Sequence, residues 1–223
     1  MAVIALGNLK EYKIWHDLVR MLNSDNATLA LASFKALMSI GALLQFKERY
    51  LFHSEWPVAY FIGILDETAK KETCEILSKM PFPDDQEQLI RMMQYIAELK
   101  CANTFGRIDE LIDSHPDPKV LTLALQTIDN NQGRGVALKL SQHDYWHVRS
   151  QAVSALGRIG DVRDAALLAN KMSDPAWWVR YRAAQALFRI SKQHQRDIEQ
   201  VVAHAQDPFA IDIWHQVIKE QKP

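Results

Sequence analysis

The sequence predicts an all-α solenoid built from repeated helix pairs, on three observations. The first is a duplication. Residues 144–159 return as residues 175–190, 31 positions later, with Trp146/Trp177, Val148/Val179, Arg149/Arg180, Ala152/Ala183, Ala155/Ala186, Leu156/Leu187, Arg158/Arg189 and Ile159/Ile190 identical. The second is spacing. The retained apolar positions step by 4, 3, 1 and 3, which is one face of an α-helix. The third is what separates the copies: residues 162–172 read as a shorter amphipathic helix, so the repeating unit is a helix pair. No stretch alternates with period two at useful length, so no sheet is expected.

Extending this template gives a ladder of apolar markers on the second, or B, helix of each pair. They fall at Leu29, Val58, Leu89, Val120, Val148, Val179 and Ile211, spaced by 28 to 32 residues. In order, residues 12–22 form a first, or A, helix with Ile14, Leu18 and Leu22 on one side. Asn23, Ser24, Asp25 and Asn26 supply turn and cap oxygens before a B helix over 28–44. A short helix over 46–52 follows, and Ser54 with Pro57 caps and opens 58–65. Residues 68–80 come next, with Cys74 and Leu77 on the apolar side. Pro81 and Pro83 break the chain before 86–100, and helices over 103–114, 118–129 and 135–141 continue the alternation. After the two clear copies come 194–205 and 208–219. Ala5, Leu6, Gly7 and Leu9 match Ala155, Leu156, Gly157 and Ile159 at an offset of 150, so Met1–Lys10 is expected to be the second half of a B helix in a longer protein.

Composition narrows the classes. The 223 residues are 48% hydrophobic and carry a formal net charge of −1, enough apolar content for one domain or array over 1–223 and too little charge for a general polyanion binder. The positive charge is local: residues 143–196 hold nine Lys/Arg against four Asp. Cys74 and Cys101 form no CxxC, so reduced thiols are expected rather than a disulfide framework or a zinc site. No apolar run reaches the ~18–20 residues that span a bilayer. The localisation expected is cytoplasmic, any tether lying upstream of Met1.

Asp174, Pro175, Val179, Arg180, Ala183, Ala184, Ala186, Leu187 and Ile190, with the parallel run ending Ala155, Leu156, Gly157, Arg158, Ile159, Gly160 and Asp161, resemble the bacterial HEAT-repeat consensus, nearest to the short repeats of phycobilin-lyase-like HEAT proteins. The resemblance implies a right-handed α-α superhelix, here of about seven helix pairs after a leading half repeat, with A helices outside and B helices lining a concave groove. It also implies that Arg149 and Arg180 form a structural ladder with Asp residues of adjacent repeats, Asp144 and Asp174.

If Val148, Ala152, Ala155, Leu156 and Ile159, with their copies, face the A layer, other positions are left for the groove. In one copy these include Trp178, Tyr181, Arg182, Gln185 and Arg189; in the other, His147, Ser150, Gln151 and Arg158. Further back they include Met92 and Tyr95. Aromatic, Arg and Met residues are the ones enriched at interface hot spots. Trp178 and Tyr181 could equally cover a neighbouring helix; an exposed indole favours the interface reading. Trp146 and Trp177 recur at one place in successive repeats and are expected to pack between them. The partner expected is another protein, through an acidic and partly apolar segment. Nucleic acid is disfavoured by the charge, and no membrane insertion is expected.

No HExxH, GxSxG, Walker-type or GxGxxG motif occurs, so no catalytic residue, metal or cofactor is assigned. His143 and His147 are four apart, but His143 precedes the helix and lacks a third ligand. HEAT-type deoxyhypusine hydroxylases carry His-Glu dipeptides, and none occurs here. Two alternatives rest on the resemblance alone: an alkylpurine-DNA-glycosylase-like or other nucleic-acid-binding solenoid, and an accessory lyase for a bound tetrapyrrole.

Overall fold

The structure is a computed structural model that describes residues 15–22, 24–39, 51, 58–101, 104–114, 117–194 and 208–221. The leading half helix, the cap at Ser54 and Pro57, and most of the helices expected at 46–52 and 194–205 lie outside those residues. The described chain is helical and contains no strand. It divides into two compact units, 1–101 and 102–223.

In the first unit, α1 (Trp15–Leu22) packs on α2 (Ala27–Ser39). Asn26 Oδ1 accepts the Thr28 and Leu29 backbone N–H groups and so opens α2. Later, α3 (Val58–Ile64) and α4 (Glu67–Lys79) both pack on α5 (Gln86–Leu99). Asp66 and Asp85 cap α4 and α5 by accepting the Ala69 and Gln88 N–H groups. A disulfide joins Cys74 to Cys101, with Cα atoms 5.2 Å apart. That overturns the expectation of free thiols. The 27-residue separation hides the pairing from sequence, because only the packing of α4 on α5 brings mid-helix Cys74 beside Cys101, two residues past the end of α5.

The second unit runs α6 (Phe105–Ser114), α7 (Pro118–Thr127), α8 (Arg134–Leu140), α9 (Trp146–Ile159), α10 (Ala165–Lys171), α11 (Trp177–His194) and α12 (Pro208–Glu220). One-turn 3-10 segments, Asn131–Gly133 and Val162–Asp164, lead into α8 and α10. Packing is between neighbours: α7, α9, α11 and α12 form a B layer in chain order, while α6, α8 and α10 lie against α7, α9 and α11. That is the HEAT-type α-solenoid pattern.

Val148, Ala152, Ala155, Leu156, Val179, Ala183, Ala186, Leu187 and Ile190 are all buried. So are Ser150, Val153, Gly157 and Ala184, because a B helix packs on B neighbours as well as on its A helix. Ser150 therefore does not face a groove. At Gly157 an added Cβ would lie 2.6 Å from the Ala186 Cβ and 2.7 Å from its Cα, so the glycine lets the α9 and α11 backbones approach. The ladder needs two adjustments of register. Ile211 is 37% exposed while Ala210, Trp214 and Val217 are buried, so the last marker is Ala210, 31 residues after Val179. Likewise Ala30, Phe34 and Leu37, rather than Leu29, carry the buried stripe of α2.

Ion pairs stitch the repeats. Arg149 donates from Nε and Nη2 to the two Asp174 oxygens, each at 2.8 Å, and from Nη1 to the backbone carbonyls of His143 and Asp144. The Asp144 side chain takes no part in these bonds. Arg180 repeats the backbone part of the arrangement, donating from Nε to the Asp174 carbonyl. On the A side, Arg134 reaches Asp161 and buried Asp164 of the next repeat. Burial alone would raise the Asp174 carboxyl. The Arg149 hydrogen bonds, the Ala176 N–H and the Arg149 charge outweigh it, leaving the group below the ordinary aspartate value.

Leu156→Ala or Leu187→Ala is expected to cost about 2–5 kcal/mol in chemical denaturation. Gly157→Ala, which adds volume against the Ala186 backbone, should cost about 1–3 kcal/mol by the same measurement. Reducing the disulfide frees a loop whose closure is worth about 3–4 kcal/mol, so thermal melting with and without reductant should separate the two forms. Because the folded Asp174 pKa is depressed, its stabilisation is present above an unfolded value of about 3.9 and is lost as pH falls below it. Asp174→Asn should accordingly flatten the acid limb of stability against pH, measured by urea denaturation between pH 2 and 6.

Candidate functional site

Because the B helices share one period, the same slot recurs at one edge of the layer. One residue before each marker stand His147, Trp178 and Phe209, 31 apart, and all three are exposed. Trp178 is 51% exposed. Trp146 and Trp177, expected to pack between repeats, are 39% and 47% exposed. Each lies in the first turn of its helix, where a side chain leans back toward the N-terminal end and past the body of the neighbouring helix. The rings touch one another instead. Trp177 stacks on Tyr181 at 5.1 Å and meets Trp178 edge-on at 4.8 Å, while Trp146 stacks on His147 at 4.1 Å.

Beyond this edge the polar face of α11 carries Tyr181, Arg182, Gln185 and Arg189. The Tyr181 hydroxyl donates to Glu220 at 2.6 Å, tying α12 to α11, and that bond is the main reason the phenol lies above its ordinary pKa. Arg182 Nη1 donates to Gln185 Oε1 at 3.1 Å. On α9, Gln151 and Arg158 are half-buried. Met92 and Tyr95 do not join this face. They lie in the first unit and are fully buried, because α5 buries Leu89, Met92, Met93, Tyr95, Ile96 and Ala97, far more than the narrow stripe expected. Burial pushes the Tyr95 phenol up to about 12 against the opposing charge and hydrogen bond of Arg91.

Arg158 and Arg189 occupy the same slot in successive helices, yet only one is engaged. α7 ends on Ile128 in extended backbone, with no left-handed cap residue to turn its last carbonyls inward. Arg158 fills that role, donating from Nε to Ile128 O at 3.0 Å and from Nη2 to Leu125 O at 2.6 Å. α9 ends on Gly160 at φ 73 with its N–H on Leu156 O, and His194 Nε2 meets the Gly160 carbonyl at 2.6 Å. The end of α9 is thus capped without an arginine. Among the described residues Arg189 has no hydrogen bond or ion pair.

The result is a cleft of about 330 Å3 lined by Arg182, Gln185, Phe188, Arg189, Lys192 and Gln221. Burial depresses the Arg158 pKa first, and the charges of Arg189 and, more weakly, Arg182 depress it further, Asp129 opposing. The Arg182 and Arg189 charges thus both act on Arg158. Among the described residues no carboxylate is ion-paired with Arg182, Arg189 or Lys192. Lys192, which lies over the Phe188 ring at 5.4 Å, escaped sequence reading because α11 runs to His194, past the end of the repeated motif. Its signal was there: it lies three residues after Arg189, on the same stripe.

The described residues contain no group of three His, Cys, Asp or Glu placed to hold a metal ion. His143 Nδ1 instead accepts the Tyr145 N–H. No described helix is long and apolar enough to cross a membrane.

No curated protein matches the chain. The family model for HEAT repeats does, over residues 107–188 and 137–210, which hold α7, α9 and α11, the arginine pairs and the 31-residue slots. Residues 107–210 of this chain are HEAT repeats.

Proposed function

We propose that the second unit is a non-catalytic scaffold that binds an acidic, partly apolar segment of a partner protein along the exposed face of its B helices. The observation that carries this reading is the juxtaposition, on α11, of exposed Trp178 with cations that no described carboxylate neutralises. Trp178 and Tyr181 offer large amphipathic anchors. Arg182 and Arg189 offer planar donors that match carboxylates, and their position beyond the aromatic edge suits a segment apolar at one end and acidic at the other. His147 and Gln151 extend the same strip on α9. Arg158 contributes charge from a fixed position; Met92 and Tyr95, buried in the other unit, drop out. The localisation follows the disulfide: Cys74–Cys101 favours an oxidising compartment over the cytoplasm expected from sequence.

Selection of a random peptide display library on the intact chain tests the reading. The expected outcome is enrichment of peptides that combine Asp or Glu with aromatic or branched apolar residues. Trp178→Ala with Arg182→Ala should then abolish their binding while helical content and melting temperature stay nearly unchanged. Enriched peptides without acidic residues, or full affinity in the double variant, would place the binding surface elsewhere. A single-stranded DNA control completes the test, since a nucleic-acid binder would capture it with affinity falling steeply as salt rises.

A further inference from the structure

The cleft on α11 holds more positive charge than an occasional carboxylate accounts for. Arg182, Gln185, Arg189 and Lys192 follow one another at 3, 4 and 3 residues, a single stripe of the helix. Arg182 turns its guanidinium toward the C-terminal end, where it meets Gln185. Arg189 lies four residues beyond Gln185 on the same stripe and lines the same cleft. Arg158 of α9 is not part of the cleft wall, though the Arg182 and Arg189 charges both act on it, and its guanidinium is fixed by the carbonyls at the end of α7. Phe188 and Gln221 close the cleft. Two guanidiniums and an ammonium line this one cleft without a described counter-carboxylate, a charge balance that a multiply charged anion would complete.

We infer that this cleft is a subsite for a doubly charged oxoanion, a phosphate monoester carried on the bound segment of the partner protein. A phosphate monoester brings close to two negative charges and three acceptor oxygens in one compact group. A single carboxylate brings one charge and two oxygens, and neighbouring acidic side chains would have to fold back on one another to reach the same cleft. The planar guanidiniums of Arg182 and Arg189 can each donate two parallel N–H bonds to such a group, with Lys192 Nζ supplying further donors. The site lies on the face proposed above for partner binding and rests on that reading for the identity of the carrier.

Isothermal titration of the intact chain with inorganic phosphate, at constant ionic strength, reads the site without any partner. Saturable binding is expected, at least about tenfold tighter than acetate or glutarate, because a dianion meets several charge-assisted donors at once. Arg189→Gln and Arg182→Gln should each weaken phosphate by about tenfold or more. Neither substitution removes a contact that holds helices together, so circular dichroism melting should be unchanged. Arg163→Gln, on the 3-10 turn before α10 and paired with Asp161, is the control and should bind as the parent does. Equal affinity for acetate and phosphate would overturn the inference, as would phosphate binding that survives both Arg→Gln changes. So would a single-stranded oligonucleotide that displaces phosphate at far lower concentration, which would assign the cleft to diesters. If display selection yields acidic peptides that need Trp178 while phosphate does not bind, only the phosphate assignment falls. If phosphate binds as described and no such peptide is recovered, only the partner-segment reading falls.

Discussion

The second unit depends on the close approach of α9 and α11. Gly157 presents no side chain where Ala186 meets it, and alanines at 152, 155, 183 and 184 keep the rest of the two helices thin and buried. Small residues let backbones come together, and the large ones, Leu156 and Leu187, are then free to fill the space toward the A helices. Everything functional on α11 is set by this contact. Once Ala183, Ala184, Ala186, Leu187 and Ile190 are committed inward, Trp178, Arg182 and Arg189 have only the outer face left.

The arginines show how one residue type divides between structure and recognition. Arg149 lies in the first turn of α9 with its guanidinium on Asp174, a largely buried pair that reaches into the next repeat. A buried carboxylate is costly unless its oxygens are all satisfied, and here two Arg149 donors and the Ala176 N–H do so. Arg158 is committed for a different reason: the α7 terminus has no glycine, so its carbonyls need a donor. Gly160 removes that need one repeat later, and Arg189 becomes available. A single change in how a helix ends thus converts a structural position into a candidate binding one. The same logic applies at α12, where Ile211 stands in the slot of Arg149 and Arg180 and is exposed.

The aromatic edge and the cationic cleft share α11 but have separate origins. The edge arises because first-turn side chains project beyond their neighbours, and the rings then cover one another, as in the Trp177–Tyr181 stack. The cleft arises farther along, where Phe188 and, past the end of the repeat, Lys192 add to the wall. Tyr181 links them, its ring at the edge and its hydroxyl bonded to Glu220, which holds α12 beside the cleft.

The sequence by itself determined the helix pairs, the 31-residue period and the inward stripe of α9 and α11, because apolar periodicity is a local property and a duplicated motif repeats its own burial. It also placed Trp178, Tyr181, Arg182, Gln185 and Arg189 on one face. What it could not determine were contacts that depend on a second element. Met92 and Tyr95 have the spacing of an outward face and are buried, since the surroundings of α5 rather than its own period decide how much of it is covered. Trp146 and Trp177 have the recurrence of packing residues and are exposed. Cys74 and Cys101 lie far apart in the chain and meet only when α4 packs on α5. Arg158 and Arg189 are the same residue in the same slot. Only the tertiary structure, by ending one preceding helix in extended backbone and the other in a left-handed glycine, decided which of them was spent and which has no partner among the described residues.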